Sequence, residues 1–236
     1  MGNRPRNEKA NVLFHVIARS VNDNQLFPDD GWRTAFAGAL SQEAEERNWE
    51  VWAYCLMGTH YHVLMSTPDA SISDGFQRAH LRLASRRNSD QERSGRLLDT
   101  RFRMLDIRSQ NHLFSCLRYI PMNPVKAQLC AHPADWKWSS FSATAGLAPN
   151  PSWLRSTEVL EYLSRDSGAD FARWVTSSND AIWLPDPPMN DRDQTRYAVE
   201  LLLSQGVSNG QIAEQVGISR RWVERLAVRS ELHPPK

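Results

Sequence analysis

A chain of 236 residues, 41% hydrophobic and 23% charged, is long enough for one substantial core and a smaller second unit, with the composition of an ordinary globular protein. No apolar run approaches the ~20 residues of a membrane helix, and the N-terminus lacks the apolar stretch of a secretory signal. Three cysteines without a CxxC pair (Cys55, Cys116, Cys130) argue against a disulfide frame or a cysteine zinc site, so reduced thiols in the cytoplasm are expected. The net charge of +1 conceals a local imbalance: from Arg78 to Arg118 ten arginines face four acids.

In chain order, residues 1–10 read as a basic arm. Asn11 to Val21 alternates as a first strand, and Asn22-Asp23-Asn24 is turn chemistry. Asp29 and Asp30 precede a helix predicted from Gly31 to Arg47, with Trp32, Phe36, Ala39, Leu40 and Ala44 repeating at three and four. Glu50 to Met57 and His60 to Ser66 read as strands of a hairpin across Gly58-Thr59. A basic helix is predicted from Gly75 to Arg87, followed by a polar linker, Asn88 to Gly95. Phe102, Met104 and Ile107 mark a fourth strand, and Asn111 opens a helix carrying Tyr119. The order β-α-β-β-α-β predicts an α+β fold of the ferredoxin-like kind, an antiparallel sheet with helices on one face. Its other face would be an open bed for nucleic acid.

The chemistry concentrates in two stretches. His60 and His62 lie two apart on a strand, so both imidazoles project from one face, where they can grip a divalent cation. Tyr119 and Asn123 lie four apart, which stacks them on one side of a helix. A phenol and an amide facing two histidines would make a nucleophilic centre with a third ligand. Pro121 complicates this, because a proline inside a helix either kinks it or forces it to restart. His15 reads as strand packing, His80 and His112 as surface residues, and Trp136 and Trp138 as a cover for the end of the core. His60 and His62, facing an open cleft, should each tolerate truncation to alanine within about 1 kcal/mol.

The flanks of these residues resemble consecutive motifs of the HUH single-tyrosine transposases, in particular the REP-associated branch. The stretches are His15-Val16-Ile17-Ala18-Arg19-Ser20, Asn22 to Phe27, Thr59 to Met65, Leu117-Arg118-Tyr119-Ile120, Asn123-Pro124-Val125-Lys126-Ala127 and Asp135 to Ser140. They stand in the family's order across roughly residues 11 to 142. One departure is Gly58-Thr59, where the family commonly has Pro-Asn before the first histidine. The resemblance implies a nickase and strand-transferase acting on single-stranded or hairpin DNA. Tyr119 would attack the phosphodiester and remain attached to a 5′-phosphate, with His60, His62 and Asn123 holding Mg²⁺ or Mn²⁺. On ligand chemistry alone, two imidazoles suit Mn²⁺ or Zn²⁺ better than Mg²⁺. Two rival readings stand beside it: an HUH replication initiator or relaxase, and a non-catalytic DNA-binding regulator that kept the fold.

Candidate DNA contacts follow from the arginine cluster: Arg19, Arg78, Arg82, Arg86, Arg101, Arg103 and Arg118. Past residue 148 the pattern turns helical to Trp183, and Pro185-Asp186-Pro187-Pro188 marks a linker. Ser208 to Val223 then resembles a helix-turn-helix, with Ile212, Val216, Ile218 and Val223 facing inward. Ser219, Arg220, Arg221 and Arg225 would face duplex DNA. The expected division is therefore a catalytic domain over 1–148, a helical extension and linker over 149–190, and a DNA-binding domain over 191–236. Monomer and dimer both remain open.

Overall fold

The computed structural model describes residues 9–20, 25–91, 98, 102–107, 109–177, 199, 203, 208–216, 220, 221, 223 and 224, with 87–91 and 214–216 as backbone alone. The expected turn at residues 22–24 and the proline-rich linker at 185–188 lie outside them. The chain divides into two compact units, Met1–Ser178 and Asn179–Lys236.

The first unit is built on a four-stranded antiparallel sheet of order β2-β3-β1-β4, with β1 Phe14–Arg19, β2 Glu50–Leu56, β3 His60–Ser66 and β4 Arg103–Asp106. Helix α1, Asp30–Glu46, joins β1 to β2, and α2, Ile72–Gln91, joins β3 to β4. This is the ferredoxin-like arrangement expected from the element order. Register fixes the faces, because residues directly opposite each other share one. Phe14, Val16 and Ala18 stand opposite Met65, Val63 and Tyr61. All six join Phe36, Leu40, Phe76 and Leu83 in one buried core under α1 and α2. His15, Ile17 and Arg19 stand opposite Leu64, His62 and His60, and therefore look the other way.

Helix α2 begins earlier and runs further than Gly75 to Arg87. Gly75 lies inside it because Trp49 packs there: a β-carbon on Gly75 would come 2.2 Å from Trp49 Cζ2. The helix continues to Gln91, through part of the stretch expected to be linker. His80 is not a surface residue. It is half-buried among Phe36, Phe76 and Phe102, and its Nε2 lies 2.7 Å from the Tyr61 hydroxyl. An apolar helix face at its position accepts the imidazole because Tyr61, beneath it in the sheet, satisfies the ring nitrogen.

The third helix, α3, covers Gln110–Lys126 and is capped by Ser109, whose hydroxyl accepts from the His112 backbone N–H at 3.1 Å. It runs through Pro121 and Pro124 without a break. The Asn123 side chain folds back along it, donating from Nδ2 to the Tyr119 carbonyl at 3.1 Å. This helix lies on the face opposite α1 and α2, its Tyr119 ring against His62. The face expected to be an open bed thus carries a helix over its histidines.

Residues beyond α3 wrap the edge of the sheet. Leu56 N–H donates to the Trp138 carbonyl (2.8 Å), Ser140 N–H to the Tyr54 carbonyl (3.0 Å) and Arg155 N–H to the Val51 carbonyl (2.8 Å). Backbone groups of edge strand β2 are thereby paired along its length, which removes a template for mispairing. Trp136, as expected, is structural: its indole N–H donates to the Leu56 carbonyl at 3.2 Å. Trp138 donates to Asp30 at 2.8 Å. Short helices α4 (Phe141–Thr144), α5 (Ser156–Tyr162) and α6 (Gly168–Thr176) complete the unit. Phe114 of α3 meets Tyr162 and Trp174 edge-on.

In the second unit, α7 spans Asn209–Val216. Ile212 and Val223 are fully buried with Val199, and Leu203 and Ala213 pack against them. Val216 and Ile218, also expected inward, lie outside the described side chains. Among the described residues no helix is long and apolar enough to cross a membrane.

Candidate active site

Three elements converge on the helix-bearing side of the sheet opposite the main core: β1, β3 and α3. His60 opens β3 and is 8% exposed, while His62 is fully buried. Their rings stand nearly perpendicular with centroids 5.1 Å apart, as alternation along a strand requires. His60 Nδ1 lies 3.0 Å from the Thr59 hydroxyl and His62 Nδ1 lies 2.9 Å from His15 Nε2. With both Nδ1 atoms engaged, each ring would ligate through Nε2.

Tyr119 is 4% exposed and meets His62 edge-to-face with ring centroids 5.4 Å apart; His15 is 6.4 Å away. The expected partnership of Tyr119 with the two histidines is therefore a contact between α3 and the sheet. Tyr54 and Tyr61 point to the other face, opposite Val63 and Ala18. Burial also pushes the Tyr54 phenol up to about 12, which makes it a poor nucleophile. Asn123 sits one turn beyond Tyr119. Its amide nitrogen is used on the Tyr119 carbonyl, so Oδ1 is the atom with which it would ligate.

Two participants were not among the expected site residues. His15 is buried on β1, bonded to His62, and its Nδ1 lies 3.9 Å from Cys116 Sγ on α3. Burial drives the Cys116 thiol up to about 12, so it remains protonated. Lys126 places its ammonium 5.6 Å from the Tyr119 ring centroid. The signal for Lys126 was present: seven residues make two helical turns, the same side of α3 as Tyr119. The signal for His15 was only its odd position in β1, and which strand face that meets depends on pairing with a segment forty-seven residues away.

The donor set is modest. Among the described residues no group of three or more His, Cys, Asp or Glu could hold a metal ion. Two neutral imidazoles and an amide oxygen fit a divalent cation that completes its shell with water or substrate oxygens, and Mn²⁺ suits them better than Mg²⁺.

The arginines separate into groups. Arg19 stands opposite His60 and Arg103 opposite Ile17, so both share the histidine face. Arg78 and Arg86 are exposed on α2, with Arg86 over the Trp32 ring at 5.7 Å. Arg82 reaches Glu43, a fully buried carboxylate that Arg47 also holds at 2.9 Å. Arg118 donates to the carbonyls of Val175 and Ser177 and thereby ties α3 to the end of α6. In the second unit Arg220 and Arg221 are exposed, Arg220 paired with Glu224 at 3.0 Å. Arg101, Ser219 and Arg225 lie outside the described residues.

The chain has counterparts among known proteins. No family model matches the chain. A Haemophilus influenzae protein described as a REP-associated tyrosine transposase is 29% identical over 144 residues, which is 56% of this chain and 81% of that protein. The solved structure of a REP-associated tyrosine transposase bound to a REP hairpin shares the fold, with a TM-score of 0.53 and 19% identity over 64% of this chain and 90% of the other. The chain is thus similar in sequence to one protein described as a REP-associated tyrosine transposase and in fold to another.

Proposed function

We propose that the protein cuts and rejoins DNA at single-stranded or hairpin sites through a covalent tyrosine intermediate. The observation that carries the reading is the Tyr119 ring packed against His62, with His60 beside it on the rim. The supporting likeness is a relative whose solved structure holds a REP hairpin.

In this reading Tyr119 Oη attacks the scissile phosphorus and the bond to the 3′ oxygen breaks. The phosphate stays on tyrosine as a 5′-phosphotyrosine, and the departing oxygen takes up a proton as a 3′-hydroxyl. The bond energy is conserved, so reversal by another 3′-hydroxyl rejoins strands without a nucleotide cofactor. A free phenol titrates near 10 and is a weak nucleophile at neutral pH. A Mg²⁺ or Mn²⁺ ion held by Nε2 of His60, Nε2 of His62 and Oδ1 of Asn123 would withdraw charge from the phosphate. Lys126, beside the ring, stabilises negative charge as it develops on the phenol oxygen. Arg19, opposite His60 on the neighbouring strand, would contact the flanking phosphate. Arg103 shares that face, whereas Arg78 and Arg86, exposed on α2 across the sheet, would meet DNA only where it wraps around the unit, and the second unit, with Arg220 and Arg221 exposed, adds duplex contacts as a helix-turn-helix.

The test is a denaturing gel of the protein with a labelled hairpin oligonucleotide and Mn²⁺. A band retarded through SDS, lost in Tyr119→Phe while that variant still binds the oligonucleotide, is the expected outcome. Binding without any adduct would instead make the protein a non-catalytic DNA-binding regulator.

A further inference from the structure

Within the active site, the group that the proposed chemistry leaves unused is His15, buried at the centre of the sheet and joined to a candidate ligand. We infer that His15 is a positioning residue that locks His62 in the tautomer able to bind a metal. This rests on the metal-site reading above and deepens it.

The argument is one of proton count along three side chains. A neutral imidazole has one N–H and one lone pair. The 2.9 Å contact between His15 Nε2 and His62 Nδ1 can hold one proton, carried by either ring. If His15 donates, His62 must carry its proton on Nε2, and that nitrogen cannot ligate. If His62 donates from Nδ1, its Nε2 lone pair is free to face a cation, and His15 must carry its own proton on Nδ1. That proton then points toward Cys116 Sγ, 3.9 Å away on α3. Cys116 stays a neutral thiol, whose sulfur can accept weakly. A metal-bound histidine characteristically donates its second N–H to an outer partner, usually a carboxylate, carbonyl or water. Here a second histidine fills that role.

The arrangement is held from three sides. His15 and His62 occupy neighbouring strands with their faces fixed by register. Tyr119 lies edge-on to both rings, at 5.4 and 6.4 Å between centroids. Because His15 is 1% exposed, water cannot replace the contact. His60 has a different outer partner, the Thr59 hydroxyl, which can donate or accept and so imposes no tautomer of its own. The two ligands are therefore unequal: one is fixed before metal arrives and the other adapts.

The experiment uses the full chain, metal-free and uniformly ¹⁵N-labelled at histidine. Long-range ¹⁵N–¹H spectra at a pH where the rings are neutral report which nitrogen of each ring carries the proton, with His62 assigned by comparison with His62→Gln. The expected result is His62 protonated at Nδ1 and His15 at Nδ1. In His15→Phe, which keeps the ring volume but offers no acceptor, Mn²⁺ affinity measured by calorimetry without DNA should fall about ten- to a hundredfold. His15→Gln, whose side-chain oxygen sits near the position of Nε2, should recover most of that loss. A proton on Nε2 of His62 in the wild-type protein, or wild-type Mn²⁺ affinity in a folded His15→Phe, overturns the inference. A wild-type protein that binds no Mn²⁺ defeats the metal reading instead, and the wild-type spectrum still decides the tautomer.

Discussion

Truncating the two candidate ligands should have unequal effects on stability, although either truncation should stop cleavage. His62 is fully buried, bonded to His15 at 2.9 Å and covered by Tyr119. Replacing it with alanine strands a buried ring nitrogen of His15, at about 1–3 kcal/mol. It also leaves a cavity the size of an imidazole under α3, worth roughly another 1–2 kcal/mol if the helix relaxes in part. A loss of about 3 kcal/mol follows. His60 is 8% exposed at the rim, and its partner Thr59 is only half-buried and can turn to water. Its truncation does not strand Thr59 in the interior and should cost about 1 kcal/mol, less than that of His62 although His60 too is buried. Urea unfolding in chelator, followed by tryptophan fluorescence, removes any contribution from bound metal. His62→Ala should lie about 2 kcal/mol below His60→Ala at equal slope. Equal midpoints, or a larger loss for His60→Ala, would refute the description of His62 as the buried anchor. The sequence alone suggests about 1 kcal/mol for both, and the full burial of His62 argues for a larger loss there.

Other outcomes are as specific. Lys126→Gln should slow adduct formation at saturating hairpin by roughly tenfold while changing DNA affinity little, as the loss of one charge acting on the nucleophile; unchanged rates would remove Lys126 from the chemistry. Gly75→Ala should lower stability by about 1–3 kcal/mol, because the new methyl group meets Trp49 at 2.2 Å; a neutral result in urea melts would mean α2 shifts freely. The Cys116 thiol titrates near 9 when unfolded but is held to about 12 in the fold, so its contribution is intact below pH 9 and fades as pH rises from 9 toward 12. Wild-type urea midpoints should therefore fall more steeply with pH over that window than those of Cys116→Ala. Removing residues 191–236 should weaken binding to duplex flanks yet leave hairpin cleavage at saturating DNA unchanged, and loss of that cleavage in a folded truncation would assign the tail to the active site.

Much of this architecture was legible because it depends on local periodicity. The β3 strand, His60 to Ser66, and the apolar face of α1 follow from spacing, and the element order then leads to the sheet. The residues misread are those whose setting depends on distant partners. His80 looks like a surface histidine among arginines, and it is the distant Phe36, Phe102 and Tyr61 that make it half-buried. Gly75 looks like the start of a helix because nothing nearby in sequence announces Trp49 pressing on it. Pro121 suggests a break in α3, yet the helix, packed on the sheet through Tyr119, runs through it. For the site, alternation shows that His60 and His62 share a face, whereas the place of His15 beside them is a matter of strand register.

The covered edge of β2 bears on how the chain comes off the ribosome. Every candidate catalytic residue lies before residue 127, but the groups that pair with β2 belong to residues 138–140 and 155. During synthesis the hairpin of β2 and β3 must therefore wait, its outer N–H and C=O groups bare, until those residues emerge. A fragment ended just after α3 would hold the whole proposed chemistry and still expose a strand edge to its neighbours, the condition under which sheets join between molecules. The smallest piece that can work alone is thus set by protection of an edge, some thirty residues past the last group that touches the reaction.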